Sequence, residues 1–120
     1  MPVAIRFESA PQYLAAYLSG PASLDDFFAG IDAIARETLE RGVSRLLVDL
    51  RFVREQFKFT DHFAVGERVA SRLGHLERIA SLVPAARRTG TSEQVANQKG
   101  RLLRVFIDEA DAVAWLSAQD

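Results

Sequence analysis

The sequence predicts a single α/β domain on a mixed, mostly parallel sheet of five strands, with about four helices in the order ββαβαβαβα. The chain has 120 residues, 48% of them hydrophobic and 26% charged, which is the composition and length of one globular domain. After an initial pair of strand patterns, helical and strand patterns alternate along the chain. Because a strand–helix–strand unit joins parallel neighbours through a right-handed crossover, most of the sheet should be parallel.

The first part of the chain predicts a hairpin followed by an amphipathic helix. Residues 5–7 and 13–18 have strand character, and a turn-like stretch separates them. Ser23 and Asp26 have the spacing of a capping box, in which a serine hydroxyl and an acid satisfy first-turn amides. The apolar stripe that follows extends to about Arg41, which predicts a helix with one packing face. Gly42 is expected to end this helix in a left-handed conformation.

The rest of the chain predicts three more strands and three more helices. The almost continuously apolar segment 45–50 is typical of a strand covered on both faces. A loop over 51–59 follows, and then a helix over 61–73 capped by Thr60. The next elements are a strand over 78–83 and a short helix from Thr91 to about Lys99. The chain closes with a strand over 103–107 and a final helix capped by Asp108.

Composition argues against several classes of function. The 15 basic and 16 acidic residues give a net charge of −1, whereas a nucleic-acid-binding domain normally carries a basic surface. Cysteine is absent, which excludes disulfides and thiolate chemistry. His62 and His75 lie thirteen positions apart without a third soft ligand, so no metal site is expected. The chain has neither a Gly-x-Ser-x-Gly elbow nor a glycine-rich phosphate loop. We therefore expect no cofactor and no enzymatic activity.

The sequence also bears on location. No basic region followed by an apolar stretch stands at the N-terminus, so no signal peptide is expected. No run approaches the roughly 18 apolar residues of a membrane-spanning helix. The expected location is the cytoplasm. Contact with a membrane surface and a homodimer are both compatible with the sequence.

Three segments resemble the STAS/SpoIIAA-like family, small α/β domains related to anti-sigma-factor antagonists. They are the strand 46–49, the segment 95–100 leading into 103–106, and the closing helix motif Asp-Ala-Val-Ala-Trp-Leu at 111–116. The resemblance covers nearly the whole chain. It implies a domain without enzymatic activity that binds a protein partner, or a lipid-like ligand in an apolar cleft.

One feature departs from the family pattern. Phosphorylatable antagonists carry a serine just after the acid that ends the third strand, whereas here Asp49 is followed by Leu50 and Arg51. Thr60 is the hydroxyl residue near the head of the second helix. The alternative function, a phospho-regulated signalling protein of the antagonist type, would therefore place its phosphate on Thr60.

Candidate binding residues follow from the carboxyl ends of the parallel strands, where open α/β sheets bind ligands. Asp49 is either a ligand anchor or an acid near a switch, or else a carboxylate that caps the following loop or pairs with Arg51. His62, in the first turn of the second helix, could donate a hydrogen bond to an anionic ligand. Arg87 and Arg88 could hold a phosphate or carboxylate near a helix N-terminus, or simply form a solvated face.

The segment 51–59 interleaves apolar and basic residues. One interpretation is a mobile lid in which Phe52, Phe57 and Phe59 close over an apolar ligand or enter a lipid surface. The alternative is that Phe57 and Phe59 pack under the second helix. The predicted function is a binding or regulatory module that engages a protein partner or an amphipathic ligand through residues 51–62.

Overall fold

A computed structural model describes residues 3–55, 57–84 and 103–118, without the side chains of Glu55 and Phe59. Its elements are β1 (Ala4–Ser9), β2 (Leu14–Ala22), α1 (Leu24–Arg41), β3 (Arg45–Glu55), α2 (Phe59–Arg72), β4 (Arg78–Leu82), β5 (Leu103–Phe106) and α3 (Glu109–Ser117). The predicted short helix at 91–99 lies outside the described residues, as do Arg87 and Arg88.

The strands form one sheet in the order β1-β2-β3-β4-β5. β1 pairs with β2 antiparallel, and the pairs β2–β3, β3–β4 and β4–β5 are parallel. The prediction of an α/β domain on a mixed, mostly parallel five-stranded sheet is confirmed. The described residues contain three helices rather than the four expected for the whole chain.

The sheet has a hydrophobic core on each face. On one face, α1 and α2 cover side chains such as Leu18, Leu46, Val48 and Val53. On the other face, α3 covers the second core, which consists of Ala15, Leu47, Ala80, Leu82, Ala112 and Leu116 with partly buried aromatic side chains around them. Neighbouring residues of β3 point to opposite faces, as the two-residue period of a strand requires. Both faces being covered explains the apolar run at residues 46–48 of β3.

The ends of α1 agree with the predicted caps. The Ser23 side chain accepts a hydrogen bond from the backbone N–H of Asp26, and the Asp26 side chain accepts one from the backbone N–H of Ser23. At the other end, Gly42 adopts a left-handed conformation with φ of 67° and ends the helix. A residue without a Cβ adopts this conformation without steric cost, which explains the glycine.

The prediction of a loop over 51–59 is wrong for residues 51–55 and for Phe59, which begins α2, whereas residues 57–58 belong to neither a strand nor a helix. β3 continues to Glu55 and pairs with β2 as far as Ala22. The strand continues because β2 provides backbone partners over this length and because Val53 is buried in the core beneath α1 and α2. A segment held in this ladder is not a mobile lid.

The predicted cap of the second helix is also wrong. α2 begins at Phe59, with Lys58 as its N-cap residue. The Asp61 carboxylate accepts a hydrogen bond of 2.8 Å from the backbone N–H of Lys58, which satisfies an amide at the start of the helix. Thr60 therefore lies inside the first turn of α2, where it is exposed. None of the described helices combines the length and apolar character required to cross a bilayer.

Candidate functional site

An ion-pair network lies where the central strand passes the start of α3. Asp49 is 1% exposed, and a charge buried to this extent is costly unless it is paired. Arg51 forms an ion pair with Asp49 through two guanidinium nitrogens: Nε donates to Asp49 Oδ1 at 3.1 Å and Nη2 donates to Asp49 Oδ2 at 2.8 Å. The pairing with Arg51 that the sequence allowed is therefore present.

A β-bulge lies at this point of β3. Tyr17 pairs with Asp49 but Ser19 pairs with Phe52, so β3 contains one more residue than β2 between these points. An extra residue of this kind bends the strand and redirects its side chains. The backbone N–H of Arg51 turns toward Asp49 and donates to Oδ1 at 3.0 Å. The buried carboxylate thus receives three hydrogen bonds from one residue two positions away.

Two side chains from other elements complete what we call the Arg51 network, which comprises Tyr17, Asp49, Arg51 and Glu109. Arg51 Nη2 lies 3.4 Å from Glu109 Oε1, and the Tyr17 hydroxyl donates to Glu109 Oε2 at 3.3 Å. Hydrogen bonding to Asp49 raises the pKa of Arg51 above its usual value. Burial, followed by the nearby charge of Glu109, raises the pKa of Tyr17 above its usual value. The network joins β2, β3 and the N-terminus of α3.

Two arginines fix the opposite end of α3. Arg78 is 5% exposed, and its guanidinium donates to the Trp115 carbonyl at 2.7 Å and to the Ala118 carbonyl at 3.1 Å. Arg45, its neighbour in the sheet, donates to the Leu116 and Ala118 carbonyls. Cations at the C-terminal end of a helix satisfy its free carbonyls and interact favourably with its dipole. These contacts help to hold the first turn of α3 in position at the other end of the helix.

Phe52 and Phe57, which the sequence placed together in a lid, lie in different environments. Phe52 is 65% exposed, and the Arg51 guanidinium lies 5.7 Å from its ring centroid. Phe57 is half-buried against the core of α1 and α2, where its ring meets Phe27 edge-on with centroids 5.4 Å apart. For Phe57, the alternative of core packing is therefore the correct one. The side chain of Phe59 is outside the described part of the chain.

The position of Phe52 defines an exposed patch on the face of the sheet that also carries α3. Tyr17 packs at the edge of the core beneath α3, and Ser19, two residues further along β2, shares this face. Ser19 is exposed and pairs with Phe52. We call Tyr17, Ser19, Arg51 and Phe52 the Phe52 surface. It adjoins the Arg51 network, with which it shares Tyr17 and Arg51.

The remaining candidates lie near the start of α2. His62 is half-buried, and its ring meets Phe57 edge-on at 5.8 Å between centroids, so it packs beside the core that contains Phe57. His75, outside the predicted site, has its Nε2 2.7 Å from the buried Thr38 hydroxyl. Within residues 3–55, 57–84 and 103–118, no three His, Asp or Glu side chains are grouped to hold a metal ion.

Sequence reasoning missed Tyr17 and Glu109. A signal for Glu109 was present, because it follows the predicted N-cap Asp108 and thus begins the last helix, close to the carboxyl end of a parallel strand. Tyr17 could have been placed on the α3 face from the alternation of β2, but its approach to Glu109 depends on tertiary packing. The structure unites Asp49, Arg51 and Phe52 on one face.

Comparison with known proteins identifies the fold. No protein-family model and no curated protein matches the chain. An anti-sigma factor antagonist from Mycobacterium paratuberculosis superposes with a TM-score of 0.68 at 10% identity, over 97% of this chain and 95% of that one. An uncharacterized protein of the DUF3478 family from Shewanella loihica, described as having a SpoIIAA-like fold, gives 0.60 at 18% identity, over 96% and 93%. The chain has the SpoIIAA-like fold.

SpoIIAA itself is among the solved structures that share this SpoIIAA-like fold. The anti-sigma factor antagonist SpoIIAA in its unphosphorylated form gives a TM-score of 0.59 at 18% identity, over 97% of this chain and 100% of that one. The resemblance drawn from the three sequence segments is confirmed at the level of the fold.

Proposed function

We propose that this chain is a non-enzymatic regulatory module that binds a protein partner through the Phe52 surface. The observation that carries the proposal is the 65% exposure of Phe52 on a strand paired with its neighbour. Aromatic residues and arginine are enriched at the centres of protein interfaces, and Phe52 lies beside Arg51. Solved structures with the same fold include proteins described as anti-sigma factor antagonists, which supports a regulatory role.

A protein partner is favoured over an amphipathic small ligand by the distribution of the phenylalanines. An apolar ligand of the predicted kind would need several aromatic side chains to converge on it. Phe57 instead contributes its ring to the protein interior, and Phe52 lies on the surface of the sheet. A catalytic role is disfavoured by the state of Asp49, because the bidentate contact with Arg51 occupies the carboxylate.

The expected contribution of Phe52 can be estimated. Complete burial of a phenylalanine side chain yields roughly 1.5–3 kcal/mol, and about two-thirds of this residue remains to be covered. Burial by a partner would then contribute about 1–2 kcal/mol, which corresponds to roughly a 5- to 30-fold change in Kd. A Phe52→Ala variant should lose this contribution while retaining the fold.

Site-specific photocrosslinking tests the proposal in the cells from which the chain derives. A crosslinkable amino acid at position 52 should capture one discrete protein, whereas the same group at position 39 should not. Leu39 is a matched control because it is also a large exposed hydrophobic residue, 61% exposed, at the C-terminal end of α1. The captured protein is then purified, and its Kd is measured for the Phe52→Ala and Leu39→Ala variants. Equal capture at both positions, or equal Kd values, would contradict the proposal.

A second candidate is phospho-regulation at Thr60. Thr60 is exposed in the first turn of α2, and a helix N-terminus favours a negatively charged phosphate. A structure of the same fold is described as the Bacillus cell fate determinant SpoIIAA in the phosphorylated form, with a TM-score of 0.53 at 15% identity over 93% of this chain and 99% of that one. Intact-mass measurement of chain isolated from its own cells tests this candidate. A phosphate lost in Thr60→Ala but retained in Ser71→Ala supports it; an unmodified chain contradicts it.

A further inference from the structure

The edge strand β1 has one side to which no described strand is bound. It is the first strand of the sheet, and within the described residues its strand partner is β2. In an antiparallel ladder, every second residue directs its N–H and C=O away from the partner strand. β1 therefore presents a row of backbone donors and acceptors to which a further strand could bind.

The side chains of β1 divide cleanly between the two faces. Ile5 and Phe7 are partly buried beneath α1. Arg6 and Glu8 lie on the opposite face, where they form an ion pair with each other and their side chains are 65% and 51% exposed. The strand therefore alternates an apolar face with a face that carries one positive and one negative charge.

We propose that β1 pairs antiparallel with β1 of a second copy of this chain, centred on Phe7. In this register Phe7 lies opposite Phe7 of the second copy. Arg6 then lies opposite Glu8 of the second copy, and Glu8 opposite Arg6. The two five-stranded sheets become one continuous sheet, with the α1 helices of both copies on the same face. The contact is isologous, as expected of a twofold dimer.

The charges select this register and this occupant. Centring the pair on Arg6 would place two arginines opposite each other, and centring it on Glu8 would place two glutamates opposite each other, which is destabilising. The register centred on Phe7 makes both cross-strand charge pairs attractive. The strand is therefore complementary in charge to itself when reversed, a property that favours a second copy over an unrelated peptide.

Charge reversal tests the pairing by sedimentation velocity and native mass spectrometry. The wild-type chain should form a dimer. Arg6→Glu alone and Glu8→Arg alone should each raise the dimer Kd by about tenfold, since two attractive cross-strand pairs become repulsive. Arg36→Glu, a reversal at an exposed position of α1, is the matched control and should leave the Kd unchanged.

Mixing the two single variants provides the decisive measurement. The Arg6→Glu variant carries acids at both positions and the Glu8→Arg variant carries arginines at both, so each cross-strand pair in a heterodimer is attractive. An equimolar mixture should therefore form heterodimers although each variant alone associates poorly. The double swap Arg6→Glu/Glu8→Arg should restore the homodimer. A monomeric wild-type chain, single variants that dimerise normally, or a mixture without heterodimers would each overturn the proposal. Recovery in the mixture also excludes misfolding of the single variants.

This inference is independent of the function proposed for the Phe52 surface. Phe52→Ala should leave the β1 dimer intact, because Phe52 lies on β3, two strands away from the edge. Arg6 lies over the Tyr17 ring, 4.6 Å from its centroid, whereas Glu8 pairs with Ala15, so Glu8→Arg is the single variant that reports on the dimer alone. Failure of partner binding and failure of self-association can therefore be observed separately.

Discussion

Replacing Arg51 with methionine removes the counterion of a buried carboxylate. Asp49 is 1% exposed and Arg51 binds it through two guanidinium nitrogens. Methionine retains much of the side-chain volume but removes both guanidinium donors. Of the three hydrogen bonds from residue 51 to Asp49, only the one from the backbone N–H remains. Breaking a fully buried pair by removing one partner costs about 3–5 kcal/mol. The Arg51 side chain is 32% exposed, so water replaces part of its effect and the expected loss is about 2–3 kcal/mol.

The assay is urea unfolding of four proteins: the wild type, Arg51→Met, Asp49→Asn and the double variant. Asp49→Asn removes the charge and retains the carbonyl oxygen that accepts the backbone N–H. If the uncompensated charge is what destabilises Arg51→Met, the double variant should regain more than half of the loss. The coupling energy from this cycle should then reach about 1 kcal/mol or more.

A surface ion pair provides the control. Arg72 is 51% exposed and its Nε lies 3.5 Å from Asp32, a contact for which removal should cost less than about 0.5 kcal/mol. Equal losses in Arg51→Met and in the double variant would refute the reasoning. That result would mean that the packing of the arginine side chain, rather than its charge, stabilises this part of the sheet.

Three further predictions concern the fold. Gly42→Ala should lower the free energy of unfolding by about 1 kcal/mol, measured by urea unfolding, because φ is 67° while no atom lies within 4 Å of the added Cβ. Thr38→Val should cost about 1–2 kcal/mol in the same assay, since the buried hydroxyl, bonded to the Ile34 carbonyl among others, is lost. Tyr17 has a raised folded-state pKa, so stability that is present below the unfolded pKa of about 10 should be lost as pH rises through the folded value. Phenolate absorbance should show Tyr17 titrating at lower pH in Glu109→Gln than in the wild type.

Local signals predicted most of the fold. The capping box at Ser23 and the left-handed glycine at position 42 are determined by backbone chemistry within a few residues. The parallel core strands followed from their unbroken apolar character, which the structure explains by a covered core on each face. The pairing of Asp49 with Arg51 was also accessible, because a buried acid requires a nearby partner and the closest cation lay two residues away.

The continuation of β3 from residue 51 to residue 55 could not be predicted from such local signals. In a regular strand, Arg51 and Val53 would point to the same face. A charged and a buried apolar residue on one face do not fit the alternation by which a strand is recognised from sequence. The bulge changes the alternation after Arg51, so Arg51 stays on the face of Asp49 while Val53 enters the core on the opposite side. Its presence depends on how β3 matches β2, which is a long-range property.

The bulge also connects the candidate site to the fold. Without the extra residue, the register set by Tyr17 and Asp49 would place Arg51 opposite Ser19, and Phe52 would then project toward the core beneath α1 and α2. With it, Phe52 occupies the position opposite Ser19 and projects from the α3 face. The irregularity therefore exposes the aromatic side chain of the residue that follows Arg51. A change that regularised β3 would turn Phe52 toward the core and leave Arg51 on the face of Asp49, so the Phe52 surface depends on the bulge whereas the pairing of Arg51 with Asp49 does not.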